Sequence, residues 1–527
     1  MSPVQTLELV LFLLAVSVAL AMLARRLRIP TAVAFVVGGI VLALTPGLPE
    51  FALDPQLTMA LFLPPLLMAA AYFTSWREFQ ANLRAISLLA VGAVAFTTLT
   101  VGWVTHALLP SLPWAACLAL GAIVSPPDAV AAASVLERLH LPRRLVVVLL
   151  GESLVNDASG LVLYRFAVAA ALTGGFDPLM ATGAFVLVSA AGVAIGLGTA
   201  TAYIWLAPRL RDTHLEIAGS FLIAWTSYLA AELVHASGVL ATVACGILLG
   251  LRQHAVLSPR TRTESRAAWG FVVFVLEALV FILLGLTLAG ALRRLDGAAG
   301  LQLLPVAAAV AGTMIGGRFV WVFIVTPLFL PMRDRGRHGR PSVAAMTVLS
   351  WAGMRGVVSL AAALALPVEM PGRDAIIVLT YASILVTVLL QGPTLAPLIQ
   401  ALGLAPPADA LAPPPGAQAR ASVERAALDA LEHRADDPID GAIARDLLPE
   451  YRDRAAFSAR WTEAGRIGGA ALAERTARLG LRLHALEAAR QHLLSLHRAG
   501  DLRDEELHLI EEELDLEELR LRGRSPA

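Results

Sequence analysis

Residues 145–172 read LVVVLLGESLVNDASGLVLYRFAVAAAL, a run apolar enough to cross a bilayer whose middle nevertheless holds Glu152, Ser153, Asn156 and Asp157. A spanning helix needs about 20 mostly apolar residues, and this run exceeds that length. An ionised side chain at the bilayer centre costs about 2.5 to 3.5 kcal/mol on insertion scales, so carboxylates kept there mark ion paths or proton relays. Ser153 and Asp157 are four residues apart and share one helix face, as do Glu152 and Asn156 on the adjacent strip. The quoted run therefore places a hydroxyl and a carboxylate at one spot inside the membrane, with Glu152 offset by about 100°.

The rest of the chain agrees with a membrane setting. Of 527 residues, 57% are hydrophobic and 16% charged, with a mean hydropathy of +0.70; soluble domains carry about 25% charged residues. Charge is sparse up to about residue 402 and dense beyond it. All 41 basic residues are arginine. Cys117 and Cys245 both lie in apolar stretches, which argues against a disulfide framework. The first apolar run lacks the basic start and small-residue cleavage site of a secretory signal and reads as the first membrane helix. Basic residues are scattered over loops without a clustered face, so nucleic acid is not an expected partner.

Apolar runs of spanning length predict thirteen helices, near 5–24, 30–46, 55–74, 85–108, 114–136, 145–172, 179–206, 215–234, 236–251, 267–291, 302–329, 343–365 and 374–402. Alternate loops carry eighteen arginines on one side and three on the other, Arg293, Arg294 and Arg373. Cytoplasmic loops are the arginine-rich ones. With thirteen spans the N-terminus lies outside and the C-terminal tail in the cytoplasm of a multi-pass inner-membrane protein. Three regions follow: a transmembrane domain at 1–402, a Pro-rich linker at 403–416 and a helical cytoplasmic tail at 417–527. In the tail, Leu507, Ile510 and Leu514 recur at helical spacing, as in a solvated hairpin or weak coiled coil.

Two spans are interrupted. The fifth contains AIVSPPDAVAAAS, where Pro126 and Pro127 withhold amide protons and open the helix just before Asp128. The twelfth contains SWAGMRGVVS, where Gly353 and Gly356 flank Arg355. The fifth is second to last of the first six spans, and the twelfth is second to last of spans eight to thirteen. Interrupted helices at matching places in two halves point to an inverted-repeat transporter with its site at the midplane. The fold expected is an all-α polytopic membrane protein, two inverted six-helix repeats with crossed interrupted helices, plus the helical tail.

Opened backbone offers carbonyl oxygens and helix ends to a cation, and a hard monovalent cation takes oxygen ligands. A carboxyl in low dielectric holds its proton more firmly than in water, so the same oxygens can bind either a proton or a cation. Asp157 is assigned that exchange, with Ser153, Asp128 and Asn156 beside it. Glu152 is read as structural, neutralised by Arg355 or Arg318. Among other intramembrane ionisable residues, Glu232, His235 and Glu277 carry weaker functional readings, and Arg165 reaches toward the outer surface.

At GESLVNDASGLVLYRFA the sequence resembles the monovalent cation:proton antiporter-1 family, the sodium/proton exchangers of bacteria and animals. The likeness includes AIVSPPDAVAA, HASGVLATVACGILLG, GMRGVVSLAAALALP and LLQGPTLAPLI, and covers about residues 5–402. It implies a thirteen-span inverted-repeat homodimer with elevator-like alternating access between a core and a dimerisation domain. It also implies Na+ bound at Asp157, Ser153 and Asp128, and an intramembrane ion pair between Glu152 and an arginine. The Asn156–Asp157 pair resembles the electroneutral branch; electrogenic relatives tend to carry two aspartates and a lysine, and this chain has no lysine. The chain departs from the pattern at Met68, Ala69 and Ala70, where many relatives place an acid. It departs again at Pro127, Asp128 and Ala129, where relatives often have Thr-Asp-Pro.

The expected activity is exchange of Na+, with Li+ or K+ as alternative cations, for H+ at 1:1 across the cytoplasmic membrane, without cofactor and without enzymatic chemistry. Potassium/proton exchange on the same scaffold and a passive cation channel are the competing readings. An intramembrane hydrolase using Ser153 would need a neighbouring base; lysine is absent, and the nearest histidine, His140, falls in a loop.

Overall fold

The computed structural model describes residues 3–27, 29–45, 55–128, 141–174, 178–294, 297–329, 342–404, 417–464, 470–499 and 504–522. Every regular element among them is helical. The chain divides into two units, Met1–Pro406 and Pro407–Ala527.

In the first unit the helices fall on the predicted runs, apart from a short helix at Trp76–Ala81 that lies between the third and the fourth. They are α1 (Pro3–Leu27), α2 (Thr31–Ala43), α3 (Pro55–Tyr72), the short α4 (Trp76–Ala81), α5 (Leu83–Leu108) and α6 (Trp114–Val124), followed by α7 (Arg143–Thr173) and α8 (Pro178–Leu210). Next come α9 (Thr213–Leu233), α10 (Gly238–Val256), α11 (Pro259–Arg294) and α12 (Gly297–Val320). The pair α13 (Val343–Trp351) and α14 (Val357–Leu364) precedes α15 (Arg373–Ala401). Eight of these are long and apolar enough to cross a membrane, and α2, α6 and part of α3 are shorter apolar helices. The fifth predicted run is met by α6 and the open segment through Asp128; its continuation lies outside the described residues, as do linker residues 405–416.

The apolar surface of these helices is not consumed by packing. The spanning window of α8 has a mean hydropathy of 1.9 yet is only 17% buried. So large an exposed apolar face suits lipid, not water. Where helices do meet, small residues let backbones touch, as expected where lipid removes the hydrophobic drive for association. A methyl group at Gly39 of α2 would fall 2.2 Å from the Ile282 carbonyl of α11. One at Gly196 of α8 would fall 2.1 Å from the Ala241 carbonyl of α10.

Two helix groups are distinguishable by their packing. Helix α7 lies chiefly on α5 and α6, whereas α9 and α10 lie chiefly on α8 and α3. An apolar seam joins them, with Leu154 and Ala158 of α7 against Leu63, Tyr228, Val239 and Val243. Helix α5 contains a π-helical turn at Leu88–Ala93, and another, Trp321–Val325, follows α12. The two turns abut: the Trp321 ring occupies the space a side chain at Gly92 would need.

The second unit contains α16 (Ala417–Arg434), α17 (Gly441–Ala464), α18 (Ala470–Ala499) and α19 (Asp504–Arg522). Arg454 of α17 pairs with Glu424 of α16 at 3.2 Å. Arg490 of α18 reaches Glu518 of α19 at 2.9 Å. Leu507 of α19 is buried, with Ile510 and Leu514 half-buried on the same side.

Candidate cation and proton site

Two helix interruptions build the site. Helix α6 stops at Val124, and Ser125 to Asp128 run on as open backbone because Pro126 and Pro127 supply no amide hydrogens to continue the ladder. Residues between α13 and α14, Ala352 to Gly356, are likewise non-helical. The amide of Asp128 donates to the Met354 carbonyl at 2.7 Å, joining the two openings. Gly356 is required at this junction, since a Cβ there would sit 1.7 Å from Asp128 Oδ2.

Helix α7 lies against the first opening. Asn156 Nδ2 donates to the Pro127 carbonyl at 2.7 Å, satisfying an acceptor that the broken helix has orphaned. Gly160 presses its bare Cα face on the Pro126 ring. Asn156 Oδ1 is buried without a hydrogen-bond partner, immediately beside Asp157 in sequence. Asp157 is buried, and Asp128 acts on it electrostatically. Ser153, one turn back along α7, is half-buried.

Glu152 and Arg318 form a buried two-point ion pair, Nη1 to Oε1 at 2.5 Å and Nη2 to Oε2 at 2.8 Å. Their side chains are 1% and 4% exposed, so the pair is fully desolvated. The fork is steadied from α13, where the Leu349 carbonyl accepts from Arg318 Nε at 3.1 Å. Gly353 leaves room for the guanidinium: a Cβ there would lie 2.7 Å from Arg318 Cδ. Of the two arginines considered for Glu152, Arg318 is thus the one in contact.

Arg355 is placed differently. It is buried, its amide donates to Thr387 Oγ1 at 3.1 Å, and its Nε approaches Met314 Sδ at 3.0 Å, while Nη1 has no partner. Its charge therefore stands inside the second opening, within electrostatic reach of both Glu152 and Arg318.

The sequence profile described as "Sodium/hydrogen exchanger, transmembrane" matches residues 12–401. The chain belongs to the sodium/hydrogen exchanger family. An uncharacterized Na+/H+ exchanger of Mycobacterium tuberculosis is 32% identical over 534 residues, covering 98% of this chain and 96% of that protein. A Na+/H+ antiporter of Halobacillus aidingensis is 30% identical over 410 residues, covering 75% of this chain and 97% of that one. A sodium, potassium, lithium and rubidium/H+ antiporter of Bacillus pumilus is 32% identical over 377 residues, covering 68% of this chain and 56% of its own. The fold is similar to that of the sodium proton antiporter MjNhaP1 of Methanocaldococcus jannaschii at pH 8. The TM-score is 0.58 at 18% identity, covering 77% of this chain and all of that one. The chain is accordingly a multi-pass membrane protein of a transporter family.

In this sodium/hydrogen exchanger the two openings bring together Asp128, Asn156 and Arg355, the first and last of which are more than two hundred residues apart in the sequence. Glu277 is half-buried on α11. Arg165 of α7 and Glu232 of α9 turn out to face each other, with Arg165 Nη2 2.9 and 3.2 Å from the two carboxylate oxygens. Sequence considered these two separately, and no spacing rule links helices 67 residues apart. The Thr387 support for Arg355 was likewise not foreseen; it comes from the π-helical turn Thr387–Gln391 within α15.

Proposed function

We propose that this chain exchanges Na+ for H+ at a 1:1 ratio, with Asp157 as the carboxyl that binds the two ions in alternation. The observation that carries the reading is the charge count at the helix openings. Three acids, Glu152, Asp128 and Asp157, meet two arginines, Arg318 and Arg355, in surroundings where an uncompensated charge is expensive. With all five ionised, one negative charge is left over. One proton or one monovalent cation cancels it, and either occupant gives the same total, which is the condition for electroneutral exchange.

Asp157, Ser153 and Asp128 supply oxygens for Na+, and Asn156 holds the Pro127 carbonyl of the opened backbone in position. Thirteen spans in two inverted halves, a homodimer in the lipid of the cytoplasmic membrane, an outside N-terminus and a cytoplasmic tail from 417 complete the reading. Alternating access then consists of movement of the α7 group against the α9–α10 group across their apolar seam. Potassium/proton exchange is the second reading, favoured by the cation range named for the Bacillus pumilus relative.

The test is cation-driven proton movement in proteoliposomes with the membrane potential clamped, comparing Na+, Li+ and K+. Proton movement that needs no counter-charge and disappears in Asp157→Asn supports the proposal, and the order of the cations decides between Na+ and K+. Cation flux without proton movement would replace it with a channel.

A further inference from the structure

We propose that Arg165 and Glu232 form a latch that closes the seam on the arginine-poor side of the membrane and must open for a cation to pass between Asp157 and that side. The inference rests on the alternating-access reading above and adds to it the pair of residues that holds one of the two states.

The placement of Glu232 is the first observation. It lies in the last turn of α9, next to that helix's exposed carbonyls, where the helix dipole disfavours a negative charge. The site offsets this from two directions. Arg165 Nη2 donates to both carboxylate oxygens, and the Gly238 amide, at the start of α10, points at Oε1 from 3.4 Å. The turn between α9 and α10 is shaped around the carboxylate. His235 takes a left-handed φ of 58°, which is uncommon for a side-chain-bearing residue. A Cβ at Gly238 would fall 2.8 Å from the Tyr228 ring and 3.1 Å from Glu232 Oε1.

The second observation is what the pair spans. Arg165 sits on α7, two turns beyond Asp157, while Glu232 and Gly238 belong to the helices on the other side of the seam. Between Asp157 and the pair the seam is apolar: Ala158 and Leu161 of α7 share a cluster with Tyr228 and Val239. The ion pair is thus a polar fastening at the rim of an apolar closure, and any displacement of α7 along α9 and α10 separates its partners. Its side chains are 48% and 34% exposed, so water can replace each partner when the latch opens. An exposed pair contributes about 1 kcal/mol at most, a population bias of about fivefold. That is enough to set a preference between states without locking the protein in one.

The test reads the closure directly. With Leu161→Cys as reporter, and the native Cys117 and Cys245 buried, labelling by a membrane-impermeant maleimide is timed from the outer face of intact cells. Arg165→Gln and Glu232→Gln should each speed labelling, by up to about fivefold. The charge-exchanged pair Arg165→Glu/Glu232→Arg should return it to within about twofold of the unaltered protein. Equal rates in all variants would overturn the latch, as would a charge-exchanged pair that labels as fast as the single neutralisations. The readout does not need transport: a protein that labels as expected but moves no protons would sink the exchange reading and leave the latch standing.

Discussion

The main-chain amide of Asp128 and the main-chain carbonyl of Met354 are 2.7 Å apart, so two helices interrupted more than two hundred residues apart are bonded to each other at their openings. Each opening satisfies a polar group that the other exposes, in a region without water to do so. The carboxylate of Asp128 then lies on the bare face of Gly356.

That contact makes Gly356→Ala a sharp test of the junction. The new methyl would start 1.7 Å from a carboxylate oxygen, so either Asp128 or the α14 start must move. Overpacking of this kind costs about 1 to 3 kcal/mol, and exchange should fall about tenfold or more. Gly312→Ala on α12 meets nothing within 4 Å and should leave the proton flux of proteoliposomes unchanged. Equal activity in both variants would mean that Asp128 need not stay where the junction holds it.

The buried pair Glu152–Arg318 should behave as a unit. Arg318→Ala strands the Glu152 carboxylate and should cost about 3 to 5 kcal/mol, read as a large drop in melting temperature in detergent. The double replacement Glu152→Leu/Arg318→Met removes both charges together and should recover most of that loss. Because the pair is neutral as a whole, the double variant should also retain 1:1 exchange. Loss of exchange in a well-folded double variant would show that Glu152 belongs to the ion path.

Asn156 is expected to act through the donor on its amide. Asn156→Ala leaves the Pro127 carbonyl without its 2.7 Å partner, an unmade buried hydrogen bond worth about 1 to 3 kcal/mol. The half-saturating Na+ concentration should rise about tenfold, with a smaller effect on the maximal rate. Asn156→Asp should be no better, since an ionised carboxylate facing a carbonyl has no hydrogen to donate. A fully active aspartate variant would place the role of Asn156 in its oxygen instead.

Much of this architecture is legible in the chain. Apolar run length located the helices, and Pro126–Pro127 and Gly353–Gly356 located the openings, because both signals act locally on the backbone. The choice of Arg318 over Arg355 for Glu152 was not legible. Both arginines lie near the second opening, and only the packing of α12 on α13, through Gly353 and the Leu349 carbonyl, decides which guanidinium reaches α7. The meeting of Arg165 and Glu232 was hidden for the same reason: each reads alone as a charge near a helix end.

Competition at Asp157 yields the most direct prediction. If one carboxylate holds either ion, Na+ can bind only where the proton has left, so affinity for Na+ must depend on pH. In the range where protons occupy the site, the half-saturating Na+ concentration should rise about tenfold for each unit of acidification, while the maximal rate at saturating Na+ changes little. Asp157→Asn removes the titrating oxygen and should abolish both Na+-driven proton movement and the pH dependence of Na+ binding. Measurement of Na+ binding to purified protein across pH, by calorimetry, separates this from effects on turnover. A half-saturating concentration that stays flat while the maximal rate falls on acidification would assign the pH response to another group, and Asp157 would then bind the cation without carrying the proton.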